Sequence, residues 1–205
     1  MLGIARRKAD VHMRSDVAVI ILAGGDGRRI GGGKPLKMLG GERLIDRALE
    51  LARNWSDLVA VAVRDSAQVA HAEAPTVRDR DLAGPLGGLL SGLDFAHRHR
   101  RAFLLTIPVD MPFLPRDLLD RARGSIGDRC CAVAASGGHL HPVCALWRSS
   151  AMAAAEAYAA SGRHSLRGLA EQLGFATVEW PVERIDPFFN VNTNEDLTQA
   201  ARAAY

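Results

Sequence analysis

Three segments carry residues of the type and spacing that chemistry requires. The first runs Leu22-Ala23-Gly24-Gly25-Asp26-Gly27-Arg28-Arg29-Ile30-Gly31-Gly32-Gly33-Lys34 and leaves a continuously apolar stretch, Val17–Leu22. Glycines lack a Cβ, so successive backbone N–H groups can turn toward one anion, and Arg29 and Lys34 add positive charge. On its own chemistry the loop is a phosphate cradle; its plain alternative is a flexible surface loop with two cations. It is not a P-loop, because Pro35 follows Lys34 where Ser or Thr is required. Nor is it a dinucleotide fingerprint, since Gly25, Gly27 and Gly31 miss the GxGxxG spacing by one residue.

The second segment is Val109-Asp110-Met111-Pro112, which follows the apolar run Ala102–Ile107. A carboxylate at the C-terminal end of a buried strand stands where open α/β sheets place their ligands, and it suits Mg²⁺ held between one carboxylate and phosphate oxygens. An Asp that merely opens a turn before Pro112 reads equally well. The third is Asn190-Val191-Asn192, whose alternation sends two amides to one side of an extended segment, able to donate to phosphate or accept from N–H groups. Thr193 or Asn194 then caps a helix with Glu195 and Asp196 in its first turn.

These groups must be held by elements, and the pattern supplies them. Apolar segments at Val17–Leu22, Asp57–Val63 and Ala102–Ile107 read as strands, and they alternate with helical patterns at Arg43–Arg53, Leu86–His97, from Pro115 to about Arg123, Ser150–Ala160, Ser165–Leu173 and from Asn194. Cys130–Ala135, the turn Ser136-Gly137-Gly138 and Pro142–Trp147 read as an antiparallel pair, and another strand lies near Thr177–Trp180. The expected fold is α/β in three layers, Rossmann-like, with a mainly parallel sheet and an inserted antiparallel pair.

Together the segments resemble the molybdenum cofactor guanylyltransferases, the MobA-like branch of the nucleotidyltransferases. The likeness rests on Leu22-Ala23-Gly24-Gly25, Arg29, Gly31-Gly32, Lys34-Pro35-Leu36, Gly84-Pro85-Leu86-Gly87-Gly88, Val109–Leu114, His141-Pro142-Val143 and Phe188–Leu197, in that order along residues 17–200. The resemblance implies transfer of GMP from GTP to the terminal phosphate of molybdopterin, with release of pyrophosphate and a requirement for Mg²⁺. It implies catalytic roles for Arg29, Lys34 and Asp110, with Asp110 as the metal ligand. Nucleotide contacts fall to Leu22, Ala23, Gly24, Gly25, Lys34, Asp79, Gly84, Pro85 and Asp110, and pterin-substrate contacts to His141, Asn190 and Asn192. Molybdopterin-carrying proteins and molybdoenzymes are the implied partners for hand-over.

The sequence also departs from that family. Gly31-Gly32-Gly33-Lys34 is one residue shorter than the usual loop and lacks its Asp, with Lys37 as a second nearby cation. Ala62-Val63-Arg64 stands where relatives often carry an Asn that helps read guanine, and Asn194 replaces a customary proline. Cytidylyl transfer to the same pterin, a sugar-phosphate acceptor, and a non-catalytic nucleotide-binding partner are the competing readings.

Composition bounds the rest. The chain has 205 residues, 48% apolar and 24% charged, which excludes a disordered polyelectrolyte and fits one domain over residues 17–205. The net charge of +3 is carried in good part by residues 1–16, read as a mobile basic extension with Arg6, Arg7, Lys8 and Arg14 against Asp10 and Asp16. No basic stripe interleaved with aromatics marks the body, so nucleic acid is not an expected partner. The longest clean apolar run, Val17–Ala23, is far short of the ~20 residues that span a bilayer, so no membrane association is expected. Cys130, Cys131 and Cys144 show no CxxC spacing and point to a reducing cytoplasm. His139 and His141 lack a third ligand at a familiar distance and do not point to zinc.

Overall fold

The computed structural model describes residues 16–25, 30–69 and 72–203. The expected basic extension lies outside the described residues except for Asp16, which is part of the fold. Its carboxylate pairs with Arg123 and its carbonyl accepts from the Phe103 N–H.

Seven strands form one sheet: β1 (Val17–Leu22), β4 (Val59–Val63), β5 (Thr76–Arg78), β6 (Phe103–Pro108), β7 (Cys131–Ser136), β8 (His139–Arg148) and β9 (Phe175–Trp180), while β2 (Met38–Leu39) and β3 (Glu42–Arg43) make a small antiparallel ribbon. The order across the sheet is β5-β4-β1-β6-β8-β7-β9. Only β8 runs against its neighbours; β1 with β4 and β6, β4 with β5, and β7 with β9 pair in parallel. This is the mainly parallel α/β fold with an antiparallel insertion expected from the sequence.

The two faces of the sheet differ in residue size. On one, Val17, Val19, Ile21, Val59 and Val61 pack beneath α1 (Leu44–Trp55), α3 (Leu118–Ile126) and α6 (Asn194–Ala203). On the other, the alternate positions are Ala18, Ile20, Ala60 and Ala62, beneath α2 (Leu86–Arg98), α4 (Met152–Ala160) and α5 (Leu166–Leu173). The alanines let α2 come close, and its glycines complete the approach. A Cβ on Gly92 would stand 2.9 Å from side-chain carbons of both Ile20 and Leu104, and one on Gly88 would stand 2.6 Å from Leu22. The N-terminus of α2 is thereby set against the C-terminal ends of β1 and β4.

Among the departures from the sequence reading, three have a clear local reason. Helix α3 begins at Leu118 rather than Pro115, because Pro115–Asp117 form a separate turn closed by the Leu118 N–H on the Pro115 carbonyl. Strand β5 has only three residues, too few for its alternation to show in the sequence. Strand β8 begins at His139, three residues before Pro142. Between Ala145, opposite Val133, and His141, opposite Ala134, the register breaks, and residues 142–144 bulge out of the ladder. Pro142 has no N–H to lose in such a bulge, which is how a proline is accommodated inside a central strand.

The thiols are packing groups. Burial pushes Cys131 up to about 12, with Cys130 adding to the effect, and burial with the Asp110 charge raises Cys144 well above the ordinary thiol value, so neither ionises readily. Among the described residues no helix is long and apolar enough to cross a membrane.

Candidate active site

The parallel strands β1, β4, β5 and β6 end along one edge of the sheet, and the candidate residues collect there. Gly31, Gly32 and Gly33 take φ of 78°, 76° and 58°, a left-handed run that only consecutive glycines enter without strain. They feed a short helical turn, Lys34–Leu36, with Pro35 in its first turn. Lys34 is thus fixed at its base, and its Nζ donates to Asp110 Oδ2 at 2.7 Å and to Asn192 Oδ1 at 2.9 Å. The Lys34 and Asp110 side chains are only 12% and 16% exposed.

The segment around Asn192 is held independently. The Val191 N–H donates to the Asp110 carbonyl at 2.9 Å, tying residues 190–192 to the turn after β6. Asp196 accepts from the backbone N–H groups of Asn192 and Thr193, each at 2.8 Å, while Thr193 Oγ1 accepts from the Asp196 N–H. This reciprocal cap at the start of α6 is the helix cap read from the sequence, and it sets the backbone from which Asn192 reaches Lys34.

Beside this cluster lies a cleft of about 290 Å³ lined by Leu22, Gly24, Gly25, Asp79, Gly84, Pro85, Asp110 and Asn190, all expected at the site, and by Arg64, Pro108 and Val143. Ala23 is buried just behind it, its N–H donating to the Ala62 carbonyl. Arg29 lies outside the described residues. Arg64 carries no recognisable motif; its place immediately after the apolar run of β4, at the ligand-bearing edge of the sheet, is the signal that identifies it.

Asp79 is wedged between the glycines of two elements. Its Oδ2 would stand 2.6 Å from a Cβ on Gly24, and its Oδ1 2.3 Å from one on Gly87 in the first turn of α2. Burial raises its pKa to about 6, with the Arg64 charge and a hydrogen bond from the Arg80 backbone acting in the opposite sense.

One property unites the cleft. Among the described residues, the buried side-chain oxygens without a hydrogen-bond partner are Asp79 Oδ1, Asp110 Oδ1 and Asn190 Oδ1, and all three belong to residues that line it. Buried acceptors left unpaired are costly and rare. Their convergence calls for a ligand rich in donors or positive charge: hydroxyls and N–H groups at Asp79, a cation at Asp110 and Asn190. Among the described residues no cluster of three or more His, Cys, Asp or Glu could by itself hold a metal ion. A cation here would need oxygens from its substrate, as Mg²⁺ in phosphoryl-transfer sites characteristically does.

His141 stands apart from Lys34 and Asp110. It stacks on Phe188 with ring centroids 4.6 Å apart, and its Nε2 lies 2.7 Å from Ser136 Oγ, which in turn donates to Asp186 Oδ1 at 2.7 Å. His141 itself does not line the cleft, whereas Val143, two residues on, and Asn190, two residues beyond Phe188, do.

Residues 19–177 match the MobA-like NTP transferase domain. The chain belongs to the MobA-like nucleotidyltransferase family. A molybdenum cofactor guanylyltransferase from Rhodopseudomonas palustris (strain HaA2) is 40% identical over 88% of this chain and 89% of its own length, and one from Cereibacter sphaeroides is 39% identical over 88% and 93%. The crystal structure of molybdopterin-guanine dinucleotide biosynthesis protein A from Archaeoglobus fulgidus superposes with a TM-score of 0.72 at 27% identity, covering 91% of this chain and 98% of that one. The 2-C-methyl-D-erythritol 4-phosphate cytidylyltransferase from Thermus thermophilus shares the fold, with a TM-score of 0.67 at 21% identity over 92% of this chain and 98% of its own.

Asp79 gives this site a testable pH dependence. The folded chain holds the Asp79 proton up to about pH 6, whereas an unfolded Asp releases it near pH 4. The unfolded state therefore binds fewer protons between those values, and stability falls as pH rises through that window. Asp79→Asn is expected to raise the melting temperature by about 3 °C at pH 8, to leave it unchanged at pH 4, and to weaken nucleotide binding about tenfold at pH 8. Melting curves and nucleotide titrations at both pH values check this; a lower melting temperature at pH 8 would show that the Asp79 carboxylate stabilises the fold.

Proposed function

We infer that this chain transfers GMP from GTP to the terminal phosphate of molybdopterin, forming the guanine dinucleotide cofactor and releasing pyrophosphate. The observation that carries the reading is the cleft itself. It has Asp110, whose other oxygen binds Lys34, at the strand ends, three buried oxygens without a partner among the described residues, and a glycine-lined wall. The likeness to guanylyltransferases along most of the chain supports the choice of base and acceptor.

In this reading an oxygen of the molybdopterin phosphate attacks the α-phosphorus of GTP. The new P–O bond forms as the bond to the β-phosphate oxygen breaks, and pyrophosphate carries away the electron pair. The attacking oxygen is already anionic, so no side chain has to remove a proton. The work left to the protein is alignment and compensation of charge. Gly24 and Gly25 let the triphosphate lie against the backbone, and Lys34 supplies positive charge where pyrophosphate departs. Asp79 accepts from nucleoside hydroxyl or N–H groups. Gly84 and Pro85 close one side at the start of α2.

Mg²⁺ fits the oxygens present. Asp110 Oδ1 and Asn190 Oδ1 are hard, buried donors with no partner among the described residues, of the kind that ion takes. When bound, it would supply compensation of phosphate charge. The chain would act in the cytoplasm, where GTP is at hand, and pass its product to molybdopterin-carrying proteins and molybdoenzymes.

The test is pyrophosphate release by purified protein with Mg²⁺ and molybdopterin, offering GTP and CTP in parallel. Release with GTP and not CTP is the expected result, and it would show that the Asn relatives often carry at this place is dispensable. Release with CTP alone moves the chain to cytidylyl transfer. Silence with both, in a sample that binds nucleotide, favours a sugar-phosphate acceptor or a non-catalytic role.

A further inference from the structure

The chain Asp186–Ser136–His141 has a direction that its chemistry fixes. As a carboxylate, Asp186 can only accept, and its Oδ1 takes hydrogen bonds from the Phe188 N–H at 2.8 Å and from the Ser136 hydroxyl at 2.7 Å. Ser136 is fully buried and its single proton is committed to Asp186. Its Oγ therefore accepts from His141, 2.7 Å away, and Nε2 of His141 must carry the proton. Burial lowers the His141 pKa and His139 adds to that, while Asp186 and Glu179 act upward without reversing it, so the neutral ring is the favoured form at pH 7. A neutral ring protonated at Nε2 presents Nδ1 as an acceptor. Nδ1 has no partner among the described residues, and it is not among the buried unpaired atoms.

The placement of the ring follows from the bulge in β8. Residues 142–144 leave the ladder, and the register that resumes at His141 turns its side chain to the face that carries Phe188, on which it stacks. Two residues beyond Phe188 is Asn190, and two residues beyond His141 is Val143; both line the cleft. The ring is thus clamped on one face by Phe188 and at one nitrogen by Ser136, and the segments carrying Phe188 and His141 each run on to a residue that lines the cleft.

We propose that Ser136 and Asp186 are positioning residues that hold His141 in the Nε2–H form, so that its Nδ1 accepts a hydrogen bond from an N–H group of the acceptor's heterocycle. An unprotonated nitrogen disfavours phosphate and selects a donor, which a pterin ring offers in its ring N–H and exocyclic amine. The choice of acceptor rests on the function inferred above; the relay itself does not.

The experiment separates the two. Protein labelled with ¹⁵N in its histidine rings is expected to show His141 as the Nε2–H tautomer without any ligand, and Ser136→Ala to lose that single form, while Ser136→Thr keeps it. Molybdopterin binding, measured without GTP, is expected to weaken about tenfold in Ser136→Ala and Asp186→Asn, with GTP binding changed less than about twofold. An Nδ1–H tautomer in the wild type, or an unaltered tautomer in Ser136→Ala, overturns the relay. Unaltered molybdopterin affinity in a variant whose tautomer has shifted overturns the substrate contact. Failure of the wild type to release pyrophosphate from GTP would remove the inferred reaction and leave the tautomer result to judge the relay.

Discussion

Asp110→Asn is expected to lower kcat/KM for pyrophosphate release about 10³-fold, while the fold and nucleotide affinity change little. The substitution keeps the shape of the side chain and its hydrogen bond with Lys34, but removes the negative charge. Asp110 is the only carboxylate among the described cleft residues that contacts Lys34, and its second oxygen is buried without a partner. A group so placed is costly unless something binds it, and in the function inferred above a cation among phosphates would do so. Loss of charge compensation at a reacting phosphate is of the order of several kcal/mol in the transition state, which sets the size of the expected effect. The measurement is a titration of turnover against Mg²⁺ for wild type and variant, with GTP binding followed separately. A loss smaller than about tenfold would remove Asp110 from the reaction.

Lys34→Ala is expected to lower turnover by about 10²-fold or more, to weaken nucleotide binding, and to destabilise the protein by about 2 kcal/mol. The activity loss follows from removing the cation at the strand ends. The stability loss has a separate origin: Asp110 and Asn192 both lose their donor, and a mostly buried carboxylate is left uncompensated. The double variant Lys34→Ala with Asp110→Ala distinguishes the two effects. It is expected to recover most of the stability, because no lone buried charge remains, and none of the activity. Denaturant unfolding and pyrophosphate release on the four proteins check this. Recovery of turnover in the double variant would show that Lys34 acts only to neutralise Asp110.

What could be read in the residues was what neighbours along the chain decide. Three consecutive glycines before Lys34-Pro35 announce a left-handed loop, since other residues are strained there, and all three do have positive φ. The runs Val17–Leu22 and Asp57–Val63 read as buried strands because both of their faces are apolar, and the alternation of valine with alanine along β4 reflects two faces covered at different distances. Thr193 to Asp196 reads as a helix cap because its bonds close within four residues. The limits of this locality show equally well. Strand β5 is too short to have a period, yet it places Asp79, the residue wedged against Gly24 and Gly87. Ser136 and Asp186 carry no motif, and they bond across 50 positions.

By itself, then, the sequence determined the glycine run that turns the chain into Lys34, the α/β pattern and the family likeness, because each depends on residue type and short-range spacing. The tertiary structure alone decided which groups meet. Lys34 reaches Asp110 across 76 positions and Asn192 across 158, and that meeting exists because the sheet order sets β6 beside β1 and returns the chain after β9 to the same edge. A hydrogen bond needs two groups within about 3 Å. Only the packing of the whole sheet brings groups so distant in the chain within that range, and it is the same packing that leaves Asp79, Asp110 and Asn190 each with an oxygen at one cleft and without a hydrogen-bond partner among the described residues.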